Sequence, residues 1–300
     1  MRCLDSMPPI YLIPFDNKYF LLGISLIHNF KSLLMNRSSI HVMDFGLTSN
    51  QVDFLKELGV NVLKTPTHLI GAHPYTLKAN LISFLTENDL TNRYIIFMDA
   101  DMILLKNPEA ELKQIIQSMQ AANKEIAVCQ DMGSTESIGK FISAHRPKCL
   151  TFAQLASEQY YSKPYLNIGF VIFAPTFDFL RFKNLSDQME GEVCWEQNAI
   201  NLMCAENEPI LFPLDSRLWN VHANLLSSYT SNDSPFIIHI TSTNGLVQGM
   251  LDICVGQVKF EFFYRYFKNQ HIMNHQENTL KYLTEESGHL FLKYLQGTPA

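Results

Sequence analysis

The sequence predicts an α/β fold: a Rossmann-like, mainly parallel central sheet flanked by helices, with a helical appendage at its C-terminal end. Two observations lead there. Short strand-like apolar runs alternate with stretches of helical period through the first hundred residues. The fourth such run, Tyr94–Met98 (YIIFM), ends abruptly in Asp99-Ala100-Asp101, and ligands in such sheets bind beyond the carboxyl ends of strands.

The elements follow in order. Ile10–Pro14 is an apolar run closed by proline and followed by Asp16-Asn17, a strand leading into a loop. Tyr19–Leu34 carries apolar residues at helical spacing, and Ser39–Phe45 is a second strand. Gln51–Leu58 is an amphipathic helix with Gly59 as its C-cap. Asn61–Lys64 is a third strand, and Leu77–Leu85 is again helical. No repeat or linker interrupts the first 230 residues, so one domain is expected over residues 1–255. Beyond Met250 the pattern changes to VKFEFFYRYF and then to polar, helix-prone sequence, read as an appendage over residues 256–300.

Composition narrows the function. An apolar fraction of 47% and a charged fraction of 17% permit a sizeable core and argue against global disorder. A net charge of −6 and a pI near 5.9 argue against a protein that lives by gripping nucleic-acid phosphates. Phosphorylated small molecules remain open, because a bound divalent cation inverts the local field. The six cysteines (Cys3, Cys129, Cys149, Cys194, Cys204 and Cys254) show no CxxC pair and no zinc-ligand spacing. The start MRCLDSMPPIYLIPF reads as neither signal peptide nor anchor, and no window is long and apolar enough to cross a bilayer. A reduced, cytoplasmic protein is therefore expected.

Asp99 and Asp101 stand one residue apart after a buried strand, and on an extended backbone they face the same way. Two carboxylates at a partly buried strand end repel each other, and a hard divalent cation removes that penalty. The competing reading has one Asp cap the turn while the other pairs with a lysine such as Lys106. The strand context FMDADMILL, followed by Asn107-Pro108, favours the metal.

FMDADMILLKNPEAEL resembles the corresponding segment of glycosyltransferase family 8 and its GT-A relatives, and further matches run in family order from about residue 10 to residue 245. YLIPFDNKYFLLGISLIHNF resembles the opening strand and loop that hold the nucleotide base and ribose, where Asp16, Asn17 and Tyr19 fall. Pro74–Lys78 resembles the segment whose lysine approaches the nucleotide sugar. AVCQD (Ala127–Asp131) is similar to the strand after the metal loop. YLNIGFVIFAP matches at Asn167 and Gly169. WEQNAIN resembles the family's Asp-Gln-x-x-x-Asn helix, with Gln197 and Asn201 matching and Glu196 standing where Asp is usual. LDSRLWN resembles a later Trp-Asn segment, and FIIHI the strand that delivers a histidine, His239, to the metal. The chain departs after His239: HITSTNGLVQGM offers Gly245 but lacks the Lys-Pro-Trp that clamps the diphosphate.

The resemblance implies a metal-dependent retaining transferase moving a hexose from a UDP-sugar to a hydroxyl acceptor. Asp99, Asp101 and His239 would hold Mn²⁺ or Mg²⁺, with an imidazole favouring manganese. Asp16, Asn17, Tyr19, Lys78, Gly169 and Gly245 would bind the nucleotide sugar. Glu196, Gln197 and Asn167 would face the reacting carbon, Glu196 either as nucleophile or as a partner of a sugar hydroxyl. The ion would act as Lewis acid on the leaving diphosphate.

The acceptor, whether glycan, lipid or protein, is not encoded in any recognisable motif. The basic and aromatic run Lys259–Lys268 reads as a helix packed on the domain in preference to a peripheral membrane contact. The rival function is a weak or inactive binding module of the same fold, supported by the missing Lys-Pro-Trp. A DxD phosphatase would place its pair after the first strand, and a nucleotidyltransferase needs a Gly-rich basic loop that Ile10–Leu22 lacks.

Overall fold

The structure, a computed structural model, describes residues 7–33, 39–132, 135–222 and 235–239. The predicted alternation is present: β1 (Ile10–Phe15), α1 (Phe20–Leu33), β2 (Ile40–Asp44), α2 (Ser49–Glu57), β3 (Asn61–Leu63), α3 (Pro74–Ala79), α4 (Leu81–Glu87) and β4 (Ile95–Met98). There follow β5 (Met102–Leu104), α5 (Glu109–Ala121), β6 (Ile126–Gln130), α6 (Ile138–His145), α7 (Leu150–Leu155) and β7 (Leu166–Phe173). The last elements are α8 (Phe179–Gln188), α9 (Trp195–Glu206), β8 (Leu211–Leu214), β9 (Val221–His222) and β10 (Ile237–His239).

Local chemistry explains the boundaries. The first six-residue strand is buried along its whole length, as expected of a strand covered on both faces. Helix α2 starts two residues before the expected position because Thr48 caps it, accepting from the Gln51 amide while Gln51 returns a bond to the Thr48 N–H. Gly59 follows it with φ +72°, the left-handed C-terminal position that glycine takes without strain. The helix expected over Leu77–Leu85 is instead two helices. Pro74 opens the first, and the Asn80 side chain bonds back to the Thr76 carbonyl, competing with helix continuation.

The main sheet has seven strands in the order β3-β2-β1-β4-β7-β6-β8. The β2–β3, β1–β4 and β6–β8 pairs are parallel, while β7 runs against both its neighbours. The mainly parallel sheet is as expected, with β7 reversed against its neighbours β4 and β6. A second sheet of three strands has the order β5-β10-β9.

Two compact units interleave along the chain. The first takes described residues up to Leu12, then 64–98 and 110–220. Its core is the β4–β7–β6–β8 part of the sheet, with α9 against β7 and α8, and α3 against α8 and α9. The β6–β7 register breaks between Val128, opposite Val171, and Cys129, opposite Asn167. Residues 168–170 therefore leave the β6 ladder, and their amides need other acceptors.

The second unit takes residues 13–63, 99–109 and 221–239. It holds the end of β1, the β2–β3 pair, α1 against β5, and the three-stranded sheet. The Phe45 amide bonds to the Phe15 carbonyl at 3.2 Å, tying the end of β1 to that of β2. Gly23 of α1 lies under the Phe15 ring, where a Cβ would come within 2.4 Å of it. Residues 256–300, Gly245 and Lys259–Lys268 lie outside the described residues.

Candidate functional site

In the second unit, backbone pairing assembles three side chains of types able to ligate a metal. Strand β4 ends at Met98, the chain turns through Ala100 and Asp101, and β5 begins at Met102. The two carboxylates thus come together across a turn, not along the extended backbone that their spacing implied. Antiparallel pairing of β5 with β10 places His239 opposite Met102, next to Asp101. Ligand atoms of Asp99, Asp101 and His239 all lie within 4.8 Å of one another. His239 Nε2 stands 3.3 Å from Asp101 Oδ1, their side chains 9% and 17% exposed.

Neighbouring groups hold this arrangement. Asn29 on α1, itself buried, accepts the Leu104 amide at 2.6 Å, and the Leu105 amide bonds to the Phe236 carbonyl at 2.9 Å. Lys106 lies over the Phe236 ring at 3.8 Å, and Asp101 pairs with His239. On the far edge of β10, His222 is paired with His239, the rings 5.7 Å apart and perpendicular. Two carboxylates and an imidazole fit a divalent ion with mixed oxygen and nitrogen preference, manganese better than magnesium.

The β1–α1 loop of the same unit carries Asp16, Asn17 and Tyr19. Asp16 accepts the Tyr19 amide at 2.9 Å. Asn17 Oδ1 accepts from Gln51 Nε2 at 2.6 Å, and Gln51 is wholly buried. Gln51 therefore serves both the α2 cap and this loop. The signal for it was in the sequence, as the Thr-x-x-Gln of a capping box.

The first unit collects the remaining candidates, except Gly245. Lys78, on α3, has its Nζ 4.0 Å from Glu196 Oε1, with side chains 13% and 4% exposed. Lys78 is thus partnered and half-buried, not a solvated helix lysine. Glu196 lies in the first turn of α9, where the helix dipole favours an anion. Cys194 caps that helix with φ +52°, and burial, with Glu196 beside it, pushes its thiol up to about 12. Tyr75, His73 and Trp195 pack around the same corner.

Asn167, Gly169 and Gln197 are brought together at the β7 bulge. Gln197 accepts the Ile168 amide at 3.2 Å, and beside it the buried Tyr165 hydroxyl donates to Asn198 at 2.8 Å. Asn167 accepts the Gly169 amide at 2.9 Å and donates to Asp131 at 3.1 Å. Asn220, at φ +84°, donates to Asn167 at 2.9 Å. One turn beyond Gln197, Asn201 accepts the Leu166 amide at 2.7 Å and donates to its carbonyl at 3.0 Å. Gln197 and Asn167 thus serve the amides of Ile168 and Gly169, which leave the β6 ladder, while Asn201 serves Leu166, which stays opposite Gln130. Asp131 is the hub that residue-by-residue reading missed: it also accepts from Thr135. Its only sequence signal is an acid closing a buried run.

Cys129, Cys149, Cys194 and Cys204 are free thiols. No helix among the described residues is long and apolar enough to cross a membrane.

No protein-family profile matches the sequence, and no curated protein matches it. Solved structures do. An active-site mutant of LgtC matches with a TM-score of 0.55 at 9% identity, over 78% of this chain and 88% of that one. The bifunctional glycosyltransferase WbbM matches at 0.55 and 15% identity over 81% of this chain, which spans 47% of WbbM. Mouse xyloside xylosyltransferase 1 matches at 0.48 and 12% identity, over 79% and 99% of the two chains. The fold is that of the GT-A glycosyltransferases.

Proposed function

We propose that this chain is a metal-dependent, retaining glycosyltransferase akin to family 8, moving a hexose from a UDP-sugar to a hydroxyl acceptor. The observation that carries the reading is the Asp99–Asp101–His239 cluster on a GT-A fold. These three residues would hold Mn²⁺, or Mg²⁺ less well. The bound ion offsets charge on a leaving diphosphate.

The chain's own residues take the following roles. Asp16, Asn17 and Tyr19 hold the base and ribose, on a loop that Gln51 anchors. Lys78 supplies positive charge to the sugar nucleotide and faces Glu196 across 4.0 Å. Glu196 addresses the reacting sugar, as nucleophile or as acceptor of a hydroxyl. Gln197, Asn167 and Gly169 act through β7, which they shape, because their polar groups are engaged there. Gly245, which lies outside the described residues, is assigned to the diphosphate on the resemblance alone. The catalytic domain is assigned to residues 1–255, in a cytoplasmic protein with no nucleic-acid partner; the appendage read over residues 256–300 lies outside the described residues.

A second reading is a weak or inactive nucleotide-sugar or protein binding module of the same fold. It is supported by the missing Lys-Pro-Trp after His239 and by the internal engagement of Gln197 and Asn167. Release of UDP from a panel of UDP-sugars with Mn²⁺, together with calorimetry of UDP binding, separates the two. Metal-dependent release lost in Asp101→Asn supports the enzyme. UDP binding without release from any donor, with or without added glycosides, supports the binding module, and failure of UDP to bind sinks both nucleotide readings.

A further inference from the structure

The aromatic residues of the first unit fall into two kinds. Phe141, Phe152 and Tyr165 pack together in the core, as do Phe173, Phe177 and Phe179. His73, Tyr75 and Trp195 pack as closely, with centroids 4.7 to 5.0 Å apart, but the group runs from the core out to the surface. Trp195, 7% exposed, backs the group, while Tyr75 is half-buried and His73 exposed. We infer that His73, Tyr75 and Trp195, beside the Lys78–Glu196 ion pair, form a platform for one pyranose ring of a sugar substrate. The inference rests on the glycosyltransferase reading and adds to it the place where a sugar is held.

The chemistry of a pyranose matches this corner. Its ring has an apolar C–H face that packs on an aromatic surface, and a rim of hydroxyls that needs donors and acceptors. The rim partners here are of both kinds. His73 Nδ1 accepts the Tyr75 amide at 3.2 Å, which leaves the ring proton on Nε2 as a donor. Glu190, which accepts the Thr76 hydroxyl at 3.1 Å, offers a carboxylate on the exposed side. Glu196 and Lys78 supply the buried charges. The rings come from two elements, the start of α3 and the start of α9, and so keep their spacing through the α3–α9 contact.

Trp195 reports on its own site. The chain has two tryptophans, and Trp219 stacks on Phe170 at 5.4 Å, so Trp219→Phe leaves Trp195 as the single emitter. This protein is titrated, with Mn²⁺ present, with methyl glycosides of glucose, galactose, N-acetylglucosamine and xylose, and separately with the corresponding UDP-sugars and UDP. A saturable emission change with a methyl glycoside places the acceptor's ring on the platform. A change with a UDP-sugar but not with UDP places the donor's ring there. Tyr75→Ala is expected to lower the responding sugar's association constant about tenfold, the loss of one stacked ring. Tyr75→Phe, which keeps the ring, retains it; should Tyr75→Ala fail to fold by circular dichroism, His73→Ala at the exposed edge takes its place. Calorimetric UDP binding with no emission response to any sugar overturns the platform. So does an association constant unchanged in the folded ring-deleting variant. A glycoside response without UDP binding keeps the platform and removes the nucleotide reading instead.

Discussion

The metal cluster and the β7 bulge are both polar groups gathered at strand ends, and they are built in opposite ways. At Asp99, Asp101 and His239, backbone ladders do the positioning and the side chains are left facing one another. At Asn167 and Gln197, side-chain amides satisfy backbone groups that an irregular sheet has released, and Asn201 adds two bonds to the neighbouring Leu166. The first arrangement concentrates negative charge and is improved by a cation. The second is complete in itself, and its value lies in the shape of the strand it holds. Equal sequence prominence thus conceals different physics: one set of side chains is left facing one another, and the other is consumed in building the strand.

The sharpest test of that contrast replaces a charge without changing shape. Asp101→Asn is expected to weaken Mn²⁺ binding by about a hundredfold or more, measured by paramagnetic resonance titration, because a ligand is lost outright. The same substitution should raise the metal-free unfolding midpoint by about 1–3 °C, since it relieves carboxylate repulsion. A fall in that midpoint would show that the pair is structural. Asn201→Ala should do the reverse: lose about 2–3 kcal/mol of stability in urea unfolding, because two backbone groups of Leu166 lose partners. It should leave Mn²⁺ affinity within about twofold, because it removes none of the three candidate ligands.

The pH dependence probes the buried thiols between these extremes. Burial raises Cys194 and Cys204 from 9.0 to about 12. The unfolded chain releases these protons first, so stability is fully present below pH 9 and falls as pH rises toward 12, by up to about 1.4 kcal/mol per pH unit per thiol. Cys204→Ala should flatten that slope in denaturation curves taken across the window. A smaller effect, about 1 kcal/mol, is expected of Gln51→Ala, which removes the α2 capping box and the Asn17 anchor. If UDP affinity also falls, the loop it holds belongs to the nucleotide site.

Much of the fold was legible because its signals are local. An apolar run such as Ile95–Met98 becomes a strand wherever it is buried, and Gly59 marks a helix end by backbone sterics alone. Local signals also misled. Leu77–Leu85 has helical period throughout, but the period does not register the Asn80 amide turning back onto its own backbone. The spacing of Asp99 and Asp101 was informative even though the extended backbone assumed for it is a turn.

What the sequence by itself determined are the short-range choices: where strands and helices lie, and that two acids stand after a buried strand. What tertiary structure decided is who meets whom. His239 reaches Asp101 because β10 pairs with β5 across more than a hundred residues of chain, and Trp195 joins Tyr75 because α9 packs on α3. The reversal of β7, and the bulge that consumes Gln197 and Asn167, arise in the same way. Backbone sterics and side-chain period act over a few residues and are written in order along the chain. Register and packing depend on the summed burial of distant surfaces, which no local stretch contains.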